Sequence, residues 1–140
     1  MSNPGPAVTT STHPQLVNSN QALRLLAVQT GVNANQTGDT VIPIINSTTY
    51  SVANVVFTNA STSLTTAQAG VFSGANTGGT AIVSNAALSA LSSSTVVSQR
   101  TVASTALQTS QNLYVNVGTA QGAPATFDAY VYGYDFSQSS

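Results

Sequence analysis

The chain contains no cysteine, no tryptophan, no lysine and no glutamate. Without cysteine there can be no disulfide, no thiolate metal site and no cysteine nucleophile, and the redox compartment is left open. Charge is scarce: 4% of residues are charged, where roughly 25% is usual. The whole set is Arg24, Arg100, Asp39, Asp128 and Asp135, with His13 as the only other group that titrates near neutrality. Two arginines cannot neutralise a phosphate backbone, so no nucleic-acid partner is expected. No polybasic patch exists for anionic lipid. The apolar runs fall far short of the ~20 residues of a spanning helix, so no membrane partner is expected either. The opening MSNPGPAVTTSTHPQ has neither the basic nor the apolar region of a secretory signal. The expectation is a soluble protein that, if it ends up outside a cell, leaves by a route other than secretion, such as lysis.

The acid–base inventory is equally thin. A glycosidase needs two carboxylates at a set separation; alternation places Asp128 and Asp135 on opposite faces of one strand. A serine hydrolase needs a preorganised histidine, and His13 sits in a proline-rich stretch. One histidine and three scattered aspartates do not make a transition-metal site; a calcium site at Asp39 is a remote alternative. The Gly-rich GANTGG, residues 74–79, lacks the Lys-Ser/Thr and the helix of a phosphate cradle. No catalytic residue, metal or cofactor is expected, and the chain reads as a non-enzyme. Three Asn-x-Ser/Thr sequons begin at Asn35, Asn46 and Asn59; this composition produces them by chance.

What is present is polar, uncharged and β-branched. The 140 residues suffice for one domain. Residues 1–21 hold Pro4, Pro6 and Pro14 among Ser, Thr, Asn and Gln, with Val8, Leu16 and Val17 as sparse apolar anchors. They read as an extended arm that can order against a partner. From residue 22 to 137 the pattern is that of strands. ALRLLAVQT, DTVIPIIN and YSVANVVFTN are successive strands; Pro43 marks an edge, and a slip in alternation near Asn54 marks a bulge. Residues 69–73 and 80–84 flank GANTGG as a hairpin. Residues 86–91 fit a helical turn or a loop. TVVSQRTV, residues 95–102, has strand composition, and residues 103–111 read as a connection or weak strand. Residues 138–140 are a tail.

The best-patterned stretch is the last, NLYVNVGTAQGAPATFDAYVYGYDF, residues 112–136. It reads as two long strands joined in a hairpin by a Gly/Pro turn. In the first, Leu113, Val115 and Val117 share a face; in the second, Phe127, Ala129 and Val131 do. Tyr130, Tyr132, Tyr134 and Phe136 then line the opposite face, either as core or as an aromatic strip for a subunit contact or a carbohydrate. The fold class is all-β, an antiparallel sandwich of about eight strands, with a jelly-roll favoured over an Ig-like arrangement by the count and the long final pair. A net charge of -1 leaves little repulsion between copies, so a homo-oligomer is expected, a trimer before a dimer.

GDTVIPI, YSVANVVFTNAS, AGVFSGANTGGTAIVS and the closing stretch together resemble small virion proteins of tailed bacteriophages. They are most similar to head decoration, or cement, proteins with a sandwich or jelly-roll body. The resemblance spans Leu23 to Phe136 and is one of texture: low charge, Ser/Thr/Asn-rich strands and a closing YVYGYD. It implies a structural protein made in the host cytoplasm, placed on the capsid surface of a virion and bound to the major capsid protein lattice. The alternative is a fibre, spike or secreted sandwich module that recognises a host glycan.

Overall fold

A computed structural model describes residues 23–89 and 91–137. The expected arm, with Pro4, Pro6, Val8, Pro14, Leu16 and Val17, and the tail at 138–140 lie outside the described residues. Eight strands form: β1 (Arg24–Asn33), β2 (Gly38–Pro43), β3 (Tyr50–Thr58), β4 (Gln68–Gly74), β5 (Gly78–Ala87), β6 (Val97–Arg100), β7 (Asn112–Thr119) and β8 (Thr126–Asp135). They make two antiparallel four-stranded sheets, ordered β1-β8-β3-β6 and β2-β7-β4-β5. No helix forms among the described residues. The fold is the all-β, eight-stranded, two-sheet body that the alternation predicts.

The pairing is nested. β1 pairs with β8, β2 with β7, β3 with β6 and β4 with β5. The first half of the chain thus runs as a ribbon against the second half, and the ribbon is rolled into two layers. Only the β4–β5 connection stays within one sheet. The expected hairpin of β7 and β8 is therefore corrected: these strands belong to different sheets. The facing of their side chains is nonetheless as alternation places it, with Leu113, Val115, Val117, Phe127, Ala129 and Val131 all buried. The two apolar faces meet across the core instead of lying side by side. Residues 120–125 cross between the layers and are held by the β1–β2 loop, where Gln121 N donates to Ala34 O and Ala34 N to Ala125 O, both at 2.9 Å.

Other local expectations fare variously. Pro43 ends β2, an edge strand, where its missing donor costs no ladder bond. The bulge near Asn54 appears as a register shift between Val52 and Asn54. Of residues 86–91, Ala86 and Ala87 belong to β5, and Leu91 N donates to Leu88 O at 2.9 Å. The strand expected at 95–102 shortens to Val97–Arg100. Residues 103–111 form a connection with one bridge, Gln108 to Tyr50. In the core, the Phe57 and Phe127 rings sit 4.9 Å apart between centroids at 50°. This is a favourable tilted pair from the neighbouring strands β3 and β8.

The loop at GANTGG closes tighter than its glycines imply. Only Ala75, Asn76 and Thr77 separate the strands, and Gly78 N donates to Ala75 O at 3.0 Å. Asn76 (φ 55°) and Thr77 (φ 60°) both lie in the left-handed region. Positive φ at both central positions is the signature of the type I′ hairpin turn, which matches strand twist. Asparagine tolerates this conformation; β-branched threonine is strained there. Replacing Thr77 by Gly is expected to stabilise the protein by about 0.5–1 kcal/mol. The relief of roughly 1–2 kcal/mol of left-handed strain is partly offset by glycine's unfolded-state entropy of about 0.5–1 kcal/mol. A thermal melt should shift upward by a few degrees. A lower midpoint would mean that the Thr77 hydroxyl's bond to Asn76 O outweighs the strain.

Candidate interaction surface

Because odd-numbered residues of β8 face the core, the even ones face outward. Tyr130, Tyr132 and Tyr134 are half-buried on the outer face of the β1-β8-β3-β6 sheet, and Phe136 is exposed just beyond the strand. Strand register sets their neighbours. Tyr130 lies between Val28 and Val56, Tyr132 between Leu25 and Asn54, and Tyr134 beside Ser51. The result is a band of three tyrosines, with aliphatic side chains on both sides of Tyr130 and on one side of Tyr132. The core reading of the tyrosine row is thereby excluded.

The other sheet's outer face differs along its length. One row, Val41–Tyr114–Phe72, is apolar. The next, Asp39–Asn116–Gly70, is polar, with Asn116 Nδ2 donating to Asp39 Oδ1 at 2.8 Å. The Asn85 amide of β5 lies over Gly118, where a Cβ would meet its Nδ2 at 3.1 Å, and that Nδ2 donates to Asn116 Oδ1 at 3.4 Å. This face satisfies its own hydrogen bonds, whereas the β8 face presents tyrosines without such a ladder.

The two ends of the sandwich also differ. At the end where β1 begins and β8 finishes, four large apolar side chains stand in solvent: Leu23 (51% exposed), Ile45 (39%), Leu107 (63%) and Phe136 (46%). Backbone bonds bring these separate segments together. Ile45 N donates to Leu26 O at 2.8 Å, Phe136 N to Thr49 O at 2.7 Å, and Gln108 N to Tyr50 O at 2.7 Å. Leu23 is also the first described residue, so residues 1–22 join the body at this apolar end.

Beneath that end lies a polar clasp. Asp135 is buried, and its carboxylate accepts from Arg24 Nη1 at 2.9 Å, Ser47 Oγ at 2.8 Å and Ser137 N at 2.9 Å. The Ser137 hydroxyl also donates to it. Arg24 reaches further, to the carbonyls of Ile45 and Asn46. Burial alone would raise the Asp135 pKa; the Ser137 and Ser47 hydrogen bonds and the Arg24 charge outweigh it, and the net shift is downward. Nearby, Tyr50 is fully buried and its hydroxyl donates to Ser110 O at 2.6 Å. Burial pushes its pKa up to about 12. The apolar end therefore rests on segments that are tied in place.

The remaining aspartates act as staples. Asp128 accepts from Gly31 N at 2.8 Å and Asn59 Nδ2 at 3.1 Å. Asp39 accepts from Asn76 N at 2.7 Å. No group of three or more potential metal ligands forms among the described residues, and no helix there is long and apolar enough to cross a membrane. Leu23, Ile45 and Leu107 were not picked out by sequence reasoning. Leu107 stands in a polar connection, while Leu23 and Ile45 lie at the ends of the apolar stretches ALRLLAVQT and DTVIPIIN, where nothing in the pattern separates them from core positions. No family model matches the chain, and neither a curated protein nor a solved structure gives a match.

Proposed function

We infer that this is a non-enzymatic structural protein of a virion, which binds and reinforces a capsid shell as a decoration protein. The observation that carries the reading is the apolar end. Leu23, Ile45, Leu107 and Phe136 stand exposed where residues 1–22 join the body. Arm and apolar end would act as one attachment surface, the arm adding main-chain bonds at a neighbour's sheet edge while apolar anchors fill pockets. The tyrosine band on β8 would serve contact between copies, a trimer before a dimer, in a molecule whose net charge of -1 offers little repulsion. The nested pairs β1·β8, β2·β7, β3·β6 and β4·β5 support a jelly-roll reading of the sandwich over an Ig-like one.

The test is co-sedimentation with undecorated capsids. Leu107→Ser and Phe136→Ser together should weaken binding about tenfold or more, since losing two apolar contacts of roughly 1 kcal/mol each exceeds the 1.4 kcal/mol of one decade. Both side chains are exposed, so the thermal midpoint should hardly move. Unchanged binding would remove the apolar end from the attachment surface. A second reading, a module that recognises a host glycan, is favoured by the outward tyrosines alone; it gains if the intact protein does not bind capsids at all.

A further inference from the structure

The edge strands β5 and β6 belong to opposite sheets and face each other across an open flank. Two bonds bridge the flank. Ala103 N donates to Ile82 O at 2.7 Å, and Arg100 Nη2 donates to Ala87 O at 2.9 Å. Around them is a cleft of about 380 Å³, whose lining includes Ser84, Ala86, Ser98, Gln99, Arg100 and Thr101. That is the small end of the range for ligand pockets, about 300–1,000 Å³.

Arg100 is unusual in this chain. The Arg24–Asp135 pair is the one salt bridge among the described residues, so Arg100 has no carboxylate partner there. Its guanidinium is nevertheless half-buried and fixed. It lies 5.6 Å over the Phe57 ring, and Nη1 donates to Ser98 Oγ at 2.9 Å. Nε is shut away from solvent with no acceptor. Each terminal nitrogen has committed one hydrogen, to Ser98 and to Ala87, which leaves one on each. Such a pair suits the two oxygens of a single carboxylate. A cation this desolvated, in a protein with almost no charge, lowers its free energy by acquiring an anion. The rest of the lining is uncharged and hydrogen-bonding: the hydroxyls of Ser84 and Thr101 are on exposed residues. Alanines leave the space open, and no aromatic ring forms part of the lining.

We propose that the β5–β6 cleft binds an acidic monosaccharide, a hexuronate, with its carboxylate on Arg100 and its hydroxyls on Ser84 and Thr101. This site is separate from the apolar end and does not depend on capsid attachment. The test is isothermal titration of the full-length protein with D-glucuronate, D-glucose, acetate and inorganic phosphate. Glucuronate should bind at least about tenfold more tightly than glucose, the share of one charge-assisted pair. It should also exceed acetate and phosphate, which offer charge without the sugar hydroxyls. Arg100→Gln should lose about tenfold or more. Because that change also removes cover from Phe57, Ala86→Phe provides a second variant: Ala86 is exposed, so the ring fills the cleft with the charge and the fold intact, and glucuronate binding should be lost. Equal affinity for glucose, acetate or phosphate as tight as glucuronate, or undiminished binding by Ala86→Phe would each overturn the proposal. So would no measurable binding of glucuronate.

Discussion

Replacing Asp135 by Ala is expected to lower unfolding free energy by about 3 kcal/mol. Removing one partner of a buried pair costs roughly 3–5 kcal/mol. The lower end applies because the Arg24 side chain is 28% exposed and can turn to water once its partner is gone. The loss is not only coulombic, since the Ser47 and Ser137 donors are orphaned together. Against a total stability of about 5–15 kcal/mol, this is a large fraction, readable in urea denaturation. The pH dependence follows from the depressed folded pKa. Asp135 contributes fully above its unfolded pKa, about 3.9, and its contribution is lost as pH falls through the lower folded value. Wild type should therefore lose stability below about pH 4 more steeply than Asp135→Asn, which cannot titrate. Parallel acid profiles for the two proteins would show that the clasp is not what acid breaks.

Gly133→Ala should be at least as damaging, at about 3 kcal/mol, and Gly133→Val should prevent folding. Gly133 takes an inward position on β8 between Val131 and Asp135, paired with Arg24 and Val52. A Cβ there would meet Ser51 O at 2.0 Å and Leu26 Cδ1 at 2.8 Å. Both neighbouring strands have register shifts at this level, between Leu25 and Ala27 and between Val52 and Asn54, so their backbones crowd in on β8. Overpacking a core costs roughly 1–3 kcal/mol where side chains can yield. Here the obstacle is a carbonyl in a paired strand, which cannot rotate away. The comparison of denaturation midpoints decides the matter. A change below about 0.5 kcal/mol, the range of inert surface substitutions, would mean that β3 gives way at its bulge.

How far these features were legible depends on how local their causes are. Pro43 marked an edge because a missing donor is a property of one residue. Asn54 marked a bulge because alternation slips within one strand. The faces of β7 and β8 followed from period two. Their separation into different sheets did not, since alternation says which side of a strand is buried and nothing about which strand lies beside it. The Asp135 clasp was out of reach for the same reason, its partners lying 111 and 88 residues away. Leu107 stands in a polar connection and Ile45 at the end of an apolar run, and only the meeting of β1, β8 and two connections turns them into a surface. The tyrosine row was readable as a row; its outward direction was fixed once Phe127, Ala129 and Val131 proved to be the core face.

Attachment through the arm and the apolar end is the central claim, and co-sedimentation with undecorated capsids tests it most directly. Full-length protein is compared with a version lacking residues 1–21, beside the thermal disruption temperature of the capsids. The account predicts that the truncated body remains folded but binds at least about tenfold more weakly, roughly 1.4 kcal/mol per site, and by more where several arms act together. Full-length protein should raise the capsid disruption temperature by mass action, and the truncated protein should raise it less. Equal binding by both forms would contradict the role of the arm. No binding by either would contradict the capsid reading itself.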